Sequence, residues 1–291
     1  MKKKFKYLIY SLIILLIFVI GNGVYADISI EDLKNEYANE QSQFIEVNEM
    51  NVHYRDEGKG FPIVLIHGTA ASLHTWDDWT KELKKTNRVI RMDLPAFGIT
   101  GPNKNADYSL QAYTDFLNSF IDKLKLEKFH LAGNSLGGNI AWNYAADYPQ
   151  KVEKLILVDA SGLPTNKQPP SIFKMAKNPL LKNLFLYVTP KMLIKKNIEE
   201  VYADDSKITE ELVNRYHKMA LRVGNRKAFI DRAKTDFGLD SVVNINKLKT
   251  ILTPTLLIWG AQDLWIPLDN GIRMDRILVN STLKVLENSG H

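Results

Sequence analysis

Residues 128–146, Lys-Phe-His-Leu-Ala-Gly-Asn-Ser-Leu-Gly-Gly-Asn-Ile-Ala-Trp-Asn-Tyr-Ala-Ala, decide the fold. Lys128 to Ala132 has the pattern of a short apolar strand, and Gly138 to Ala146 that of a helix. Between them lies Gly133-Asn134-Ser135-Leu136-Gly137, a G-x-S-x-G motif. A serine on a sharp strand-to-helix turn has its hydroxyl pushed clear of the backbone. The flanking glycines are needed because side chains there would clash. The following helix aims its N-terminus at the serine, so backbone N–H groups face any oxyanion formed there. The same five residues without this context would be a glycine-rich turn carrying an idle serine.

A serine hydroxyl is a weak nucleophile at neutral pH and needs a base, which a carboxylate must orient. The strand–turn–helix order Ser…Asp…His requires a histidine well after Ser135. Of the six histidines, only His217 and His291 qualify. His217 sits in an amphipathic helical pattern with charged neighbours and reads as a surface or cap residue. His291 follows the strand pattern Thr282 to Leu286 and the loop Glu287-Asn288-Ser289-Gly290, a better place for a base. For the acid, Asp263 stands three residues past Gly260, on a loop after the buried strand pattern 254–259. Asp159, at the end of Leu155-Ile156-Leu157-Val158, is its rival.

Strand patterns recur near 52–56, 62–66, 88–93, 128–133, 154–159, 254–259 and 282–286. Helical patterns lie near 75–85, 109–124, 136–147 and 269–278. This alternation predicts an α/β fold: a mostly parallel twisted sheet with helices on both faces. Ligands of such sheets bind at the carboxyl ends of the strands, where Ser135, Asp263, His291, Thr69 and Asp93 all fall. The alternation stops at about 161–249. That stretch has Pro164, Pro169 and Pro170 near its start, helical patterns from Ile208 to Arg222 and from Arg226 to Lys234, and surplus apolar residues such as Phe173, Leu180, Leu184, Phe185 and Met192. It reads as a helical cap inserted over the site. Its apolar residues either fill the cap's own core or line an acyl pocket or touch lipid.

With these motifs in view, the chain from about Phe44 to His291 resembles the α/β-hydrolase superfamily, in its capped serine esterase and lipase branch. The resemblance rests on His67-Gly68-Thr69 after an apolar strand, Asp93-Leu94-Pro95-Ala96-Phe97-Gly98, the Ser135 turn, Leu157-Val158-Asp159-Ala160, Trp259-Gly260-Ala261-Gln262-Asp263 and Asn288-Ser289-Gly290-His291. It implies an oxyanion hole made by the backbone N–H groups of Thr69 and Leu136, with His67 and Gly68 supporting that loop. It also implies a Ser135–His291–Asp263 triad that cleaves carboxylic esters through an acyl-enzyme. Carbon–carbon hydrolysis, acyl transfer or peracid formation on the same triad is the alternative, as is a non-catalytic membrane or binding protein. A serine at 135 excludes relatives that open carbon–halogen bonds or epoxides with a carboxylate. The loop His67-Gly68-Thr69-Ala70-Ala71 lacks the H-G-G-P-G of proline-specific peptidases. Relatives continue past the histidine into a helix that steadies its loop. The sequence as given stops at His291, so the expectation is a mobile base in a weak or poorly stable enzyme.

The formal charge is +5, from 38 basic and 33 acidic residues. Lys2, Lys3, Lys4 and Lys6 supply most of the excess, which leaves a nearly neutral domain with no footprint for nucleic acid. The absence of cysteine excludes disulfides, thiolate zinc sites and a cysteine nucleophile. No metal and no cofactor are expected in the chemistry. Partners reduce to a small-molecule or lipid ester. At the N-terminus the lysines precede the apolar run Tyr7 to Ile20, then Gly21-Asn22-Gly23 and Val24-Tyr25-Ala26. Residues 1–26 therefore read as a cleaved signal peptide or a retained membrane anchor, and residues 27–43 as a linker. Either reading puts the catalytic part outside the cytoplasm, in the extracellular space or cell envelope.

Overall fold

The structure is a computed structural model that describes residues 2–165, 167, 170–179, 181–235 and 241–291. Pro169 and Leu180 lie outside them. Eight strands form one sheet: β1 (Ser42–Val47), β2 (Met50–Glu57), β3 (Phe61–Ile66), β4 (Asn87–Met92), β5 (Phe129–Asn134), β6 (Val152–Val158), β7 (Thr255–Gly260) and β8 (Ser281–Leu286). Their order is β1-β2-β4-β3-β5-β6-β7-β8. β1 and β2 pair antiparallel, as do β2 and β4, and every later pairing is parallel. The seven strand patterns read from sequence all appear, within two residues at each end.

The strand residues sort by parity, as a pleated sheet covered on both faces requires. Val64, Ile66, Ile90, Met92 and Leu131 face one large core with Phe116, Phe120, Trp142 and Trp259. Ile63, Leu65, Val89 and Ala132 face a smaller one with Trp76. The large core is covered by α4 (Leu110–Lys123), α5 (Leu136–Asp147), α10 (Ser241–Leu248) and α11 (Leu268–Ile277). α3 (Asp77–Leu83) packs on the side of the smaller core, against β4. Over the carboxyl ends of the strands lie α6 (Ser171–Lys177), α7 (Lys191–Glu199), α8 (Glu210–Ala220) and α9 (Asn225–Lys234). α10 falls inside the expected cap range, yet Leu248 is fully buried in the main core and α10 contacts α5 and α11. The roof over the site is therefore α6 to α9.

At the other end, α1 (Lys2–Gly23) is one continuous helix. Its side chains Phe5, Tyr7, Tyr10 and Ile14 are exposed. Among the described residues no helix is long and apolar enough to cross a membrane. The segment 27–43 is not the free linker its polar composition suggests. It holds α2 (Ile30–Tyr37), capped by Ser29, whose hydroxyl accepts the Asp32 N–H, and it contains the start of β1. Leu33 is fully buried with Ile99 and Met219. The chain is also stitched to the cap: Thr189 N–H donates to Gly23 O at 2.6 Å, Ile28 N–H to Leu221 O at 2.8 Å, and Arg226 pairs with Asp27. A polar helix with one buried leucine carries too faint a periodicity for sequence reading to see that it docks.

Candidate active site

Ser135 occupies the turn from β5 into α5 at φ 55°, ψ −115°, a backbone region that a side chain normally avoids. Two glycines make the turn possible by close approach. A Cβ on Gly133 would lie 2.2 Å from Gly137 O, and one on Gly137 would lie 2.3 Å from Ile66 O. The strained residue is held from both sides: Ser135 N–H donates to Val158 O at 3.0 Å, and Ser135 O accepts from Asn139 N–H and Ser161 N–H.

Asp263, on the loop after β7, is buried and uses both carboxylate oxygens. Oδ1 accepts the Trp265 and Ile266 N–H groups at 2.6 and 2.8 Å, and Oδ2 meets His291 Nδ1 at 2.6 Å. The other ring nitrogen, Nε2, is buried and makes no hydrogen bond. His291 and Ser135 line the same cavity, so Nε2 is the nitrogen left to serve Ser135. A loose nucleophile–base contact is common before substrate is bound.

The histidine loop is not loose. His291 N–H donates to Val201 O at 2.8 Å and Gln262 N–H to Ser289 O at 3.0 Å. A Cβ on Gly290 would meet Val201 O at 2.2 Å, so only glycine lets the cap approach so closely. Trp265 packs on the imidazole, ring centroids 5.6 Å apart, with its Nε1–H on Glu200. These contacts correct the expectation of a mobile base: the loop is held from the cap. Val201 and Trp265 carry no motif of their own, and no sequence signal could have paired position 201 with position 291.

The loop His67-Gly68-Thr69 passes beside the serine. A Cβ on Gly68 would stand 3.1 Å from Ser135 Cβ, and Thr69 lines the cavity beside Ser135. Leu136 is the first residue of α5, where a backbone N–H has no partner within the helix. His67 is fully buried; its Nδ1–H donates to Gly68 O at 2.7 Å and its Nε2 accepts Leu94 N–H at 2.9 Å. Burial lowers its pKa, which suits this neutral, tautomer-specific bridge. Asp93 underpins the same region, bonding His53 Nδ1, Leu73 N–H and Ile99 N–H. His217 is not on the surface but buried in the cap, its Nε2 on Thr189 O and its ring edge-on to Tyr25.

A cavity of about 390 Å³ opens over Ser135. Its walls include Trp76, Trp79, Ile172, Phe173, Ile194, Ile198, Tyr202, Phe229 and Trp265, and Lys207 is the one lysine or arginine among its described lining residues. A second apolar chamber of about 80 Å³, lined by Phe97, Phe185, Leu193 and Met219, shares the Ile172, Ile194 and Phe229 walls. Asp159, Asp263 and His291 each bring one donor atom within 4.8 Å of the others. His291 Nδ1 and an Asp159 oxygen are already committed to hydrogen bonds within the protein.

A strained serine on a strand–helix turn, an imidazole oriented by a buried carboxylate and a capped parallel sheet together define a serine-type α/β hydrolase. Residues 62–291 match the alpha/beta hydrolase fold family, and the chain belongs to it. It is 30% identical over 267 residues to a 2-hydroxy-6-oxononadienedioate/2-hydroxy-6-oxononatrienedioate hydrolase of Comamonas testosteroni, covering 86% of this chain and 90% of that one. Among solved structures it is similar to a meta-cleavage product hydrolase of Pseudomonas fluorescens, with 25% identity, TM-score 0.72, and 86% and 90% of the two chains covered. It is also similar to a putative lipase of Acinetobacter baumannii, with 26% identity, TM-score 0.74, and 92% and 91% covered.

Proposed function

We propose that the protein hydrolyses uncharged carboxylic esters with apolar acyl chains. Ser135 attacks the ester carbonyl while His291 takes its proton through Nε2, and Asp263 holds the imidazole and stabilises its charged form. The Thr69 and Leu136 N–H groups hold the oxyanion. His291 then returns the proton to the leaving alcohol, and water, activated by the same nitrogen, releases the acid. The observation that carries the substrate class is the cavity wall, which is mostly aromatic and aliphatic, with Lys207 as its one described lysine or arginine. An anionic substrate held there would have only Lys207 to pair with among the described lining residues, and burying an unpaired carboxylate is costly.

The sequence relatives favour a second reading. The 2-hydroxy-6-oxo acids in their names contain no ester, so a hydrolase acting on them breaks a carbon–carbon bond. The same serine chemistry would serve, with Lys207 facing a substrate carboxylate. A panel of p-nitrophenyl esters set against a 2-hydroxy-6-oxo-dienoate separates the two. The ester reading requires turnover of several esters at far higher kcat/KM than the dienoate, and the reverse ranking rejects it.

The N-terminal segment, in this proposal, directs the domain out of the cytoplasm, as signal or anchor. The lysine start, the apolar run and the exposed apolar side chains of α1 support it. Intact mass of exported material should begin at Asp27 if the segment is cleaved. Cytoplasmic soluble protein that retains Met1 would reject both forms.

A further inference from the structure

Asp159 belongs to the site although the mechanism above leaves it idle. It stands at the carboxyl end of β6, one strand across from the nucleophile turn, and lines the cavity with Ser135 and His291. It is 4% exposed. Its backbone is held at φ 45°, a conformation an aspartate adopts at a cost and one that tends to persist where the surroundings enforce it. Asp159 N–H donates to Ile258 O at 3.0 Å, and Oδ1 accepts Gly260 N–H at 2.9 Å. A hydrogen bond of this kind fixes the carboxyl group against β7, on the strand that leads to Asp263. One atom each of Asp159, Asp263 and His291 then falls within 4.8 Å of the other two.

From this geometry we propose that Asp159 is a positioning residue for the base: a second carboxyl group that acts on His291 beside Asp263 and takes over as its charge partner when Asp263 is neutralised. The proposal rests on the triad reading given above. Two buried carboxyl groups so close to each other do not both ionise freely. Burial pushes the Asp159 carboxyl up to about 7, Asp263 adds to that, and His291 and the Gly260 N–H oppose it. Among the described residues, the charged or titratable groups that act on it are His291 and Asp263. Lys167 Nζ is engaged with the Asp263 and Leu264 carbonyl oxygens, and Glu200 with Trp265. Near neutral pH, Asp159 therefore gains and loses its proton while Asp263 remains the partner of Nδ1. When the imidazole is charged in the reaction, an ionised Asp159 adds to its stabilisation. With Asp263 neutralised, Asp159 is the carboxylate that remains in reach.

The test is a double-mutant cycle with Asp159→Asn and Asp263→Asn, read as kcat/KM on a short p-nitrophenyl ester across the neutral pH range, with Tm as the folding control. Loss of a triad acid ordinarily costs on the order of 10⁴-fold. Here Asp263→Asn should lose only on the order of 10²-fold, and the double variant should fall to the full ~10⁴-fold loss. Asp159→Asn alone should move the acidic limb of the profile to lower pH, because a carboxylate that favours the imidazolium is gone. Asp159→Glu should restore the limb. Equal costs of Asp159→Asn in both backgrounds, with an unmoved limb, would reduce Asp159 to a structural residue and overturn the proposal. A failure of the triad reading shows differently, as an Asp263→Asn variant with no loss at all.

Discussion

The sheet and the cap of this chain are built on different terms. The sheet side holds one continuous core from Val47 to Leu278, with Trp142, Trp259, Phe116 and Phe120 almost wholly buried. The cap's own cluster is small, centred on Ile198, Leu212 and Val213, and it leaves Leu184, Tyr187 and Met192 exposed. Rigid strand ends carry Ser135, Asp159, Asp263 and the His67–Thr69 loop, which is where positioning within a fraction of an ångström matters. The cap supplies part of the cavity wall, facing Trp76, Trp79 and Trp265 from the sheet side. It also grips the histidine loop through Val201 and the N-terminal segment through Thr189 and Leu221. The reacting side chains thus stand on the strand ends of the core, with the His291 loop held from the cap, a thinner layer bolted to it.

The sharpest way to break that division is at the nucleophile. Ser135→Ala should abolish fluorophosphonate labelling and cut kcat by on the order of 10⁶-fold while leaving Tm nearly unchanged, since only a hydroxyl is removed. Labelling that persists, or that maps to another serine, rejects the assignment.

Next in size is the acid stability of the core. Asp93 is fully buried. Burial would raise its pKa, but the His53 imidazole hydrogen-bonded to it outweighs that and holds the carboxyl below the usual carboxylate range. A depressed carboxyl stabilises the fold above its unfolded value of about 3.9, and the contribution is lost as pH falls below that value towards the folded one. Tm should therefore drop steeply below about pH 4. Asp93→Asn should cost about 3–5 kcal/mol near neutral pH, because it leaves a buried pair broken. Urea unfolding at neutral and acidic pH measures both, and a variant as stable as the parent would remove Asp93 from the frame.

The smallest effects are expected in the cap, and they should divide by position. Phe173 lines the main cavity and Phe185 the second chamber, whereas Leu184 and Met192 are 50% and 72% exposed. Alanine at Phe173 or Phe185 should shift relative kcat/KM across an acyl-length series by about 10-fold or more, the worth of a methylene or two in a pocket. Alanine at Leu184 or Met192 should leave the ranking alone and change stability by less than about 0.5 kcal/mol. An identical ranking in all four variants would deny the cap its role in selection.

Much of this was legible in the chain itself. The strand–turn–helix around Ser135, seven strands, α4, α5 and α11, and the positions of Asp263 and His291 follow from local periodicity and turn chemistry, which are written within a few residues. Four features were not. The docking of α2 hid in a polar stretch because one buried leucine makes no pattern. α10 reads as cap in sequence and packs as core. Val201 holds the histidine loop through its carbonyl oxygen, an atom every residue possesses, so no side chain announces it. Asp159 looks like a rival of Asp263 along the chain, and only the parallel pairing of β6 with β7 brings both carboxyl groups to one imidazole. Sequence determined which groups could do the chemistry, because that depends on side-chain type and local backbone. Tertiary structure decided which of them meet, because contacts between strand ends depend on sheet order and register, set by the packing of residues far apart in the chain.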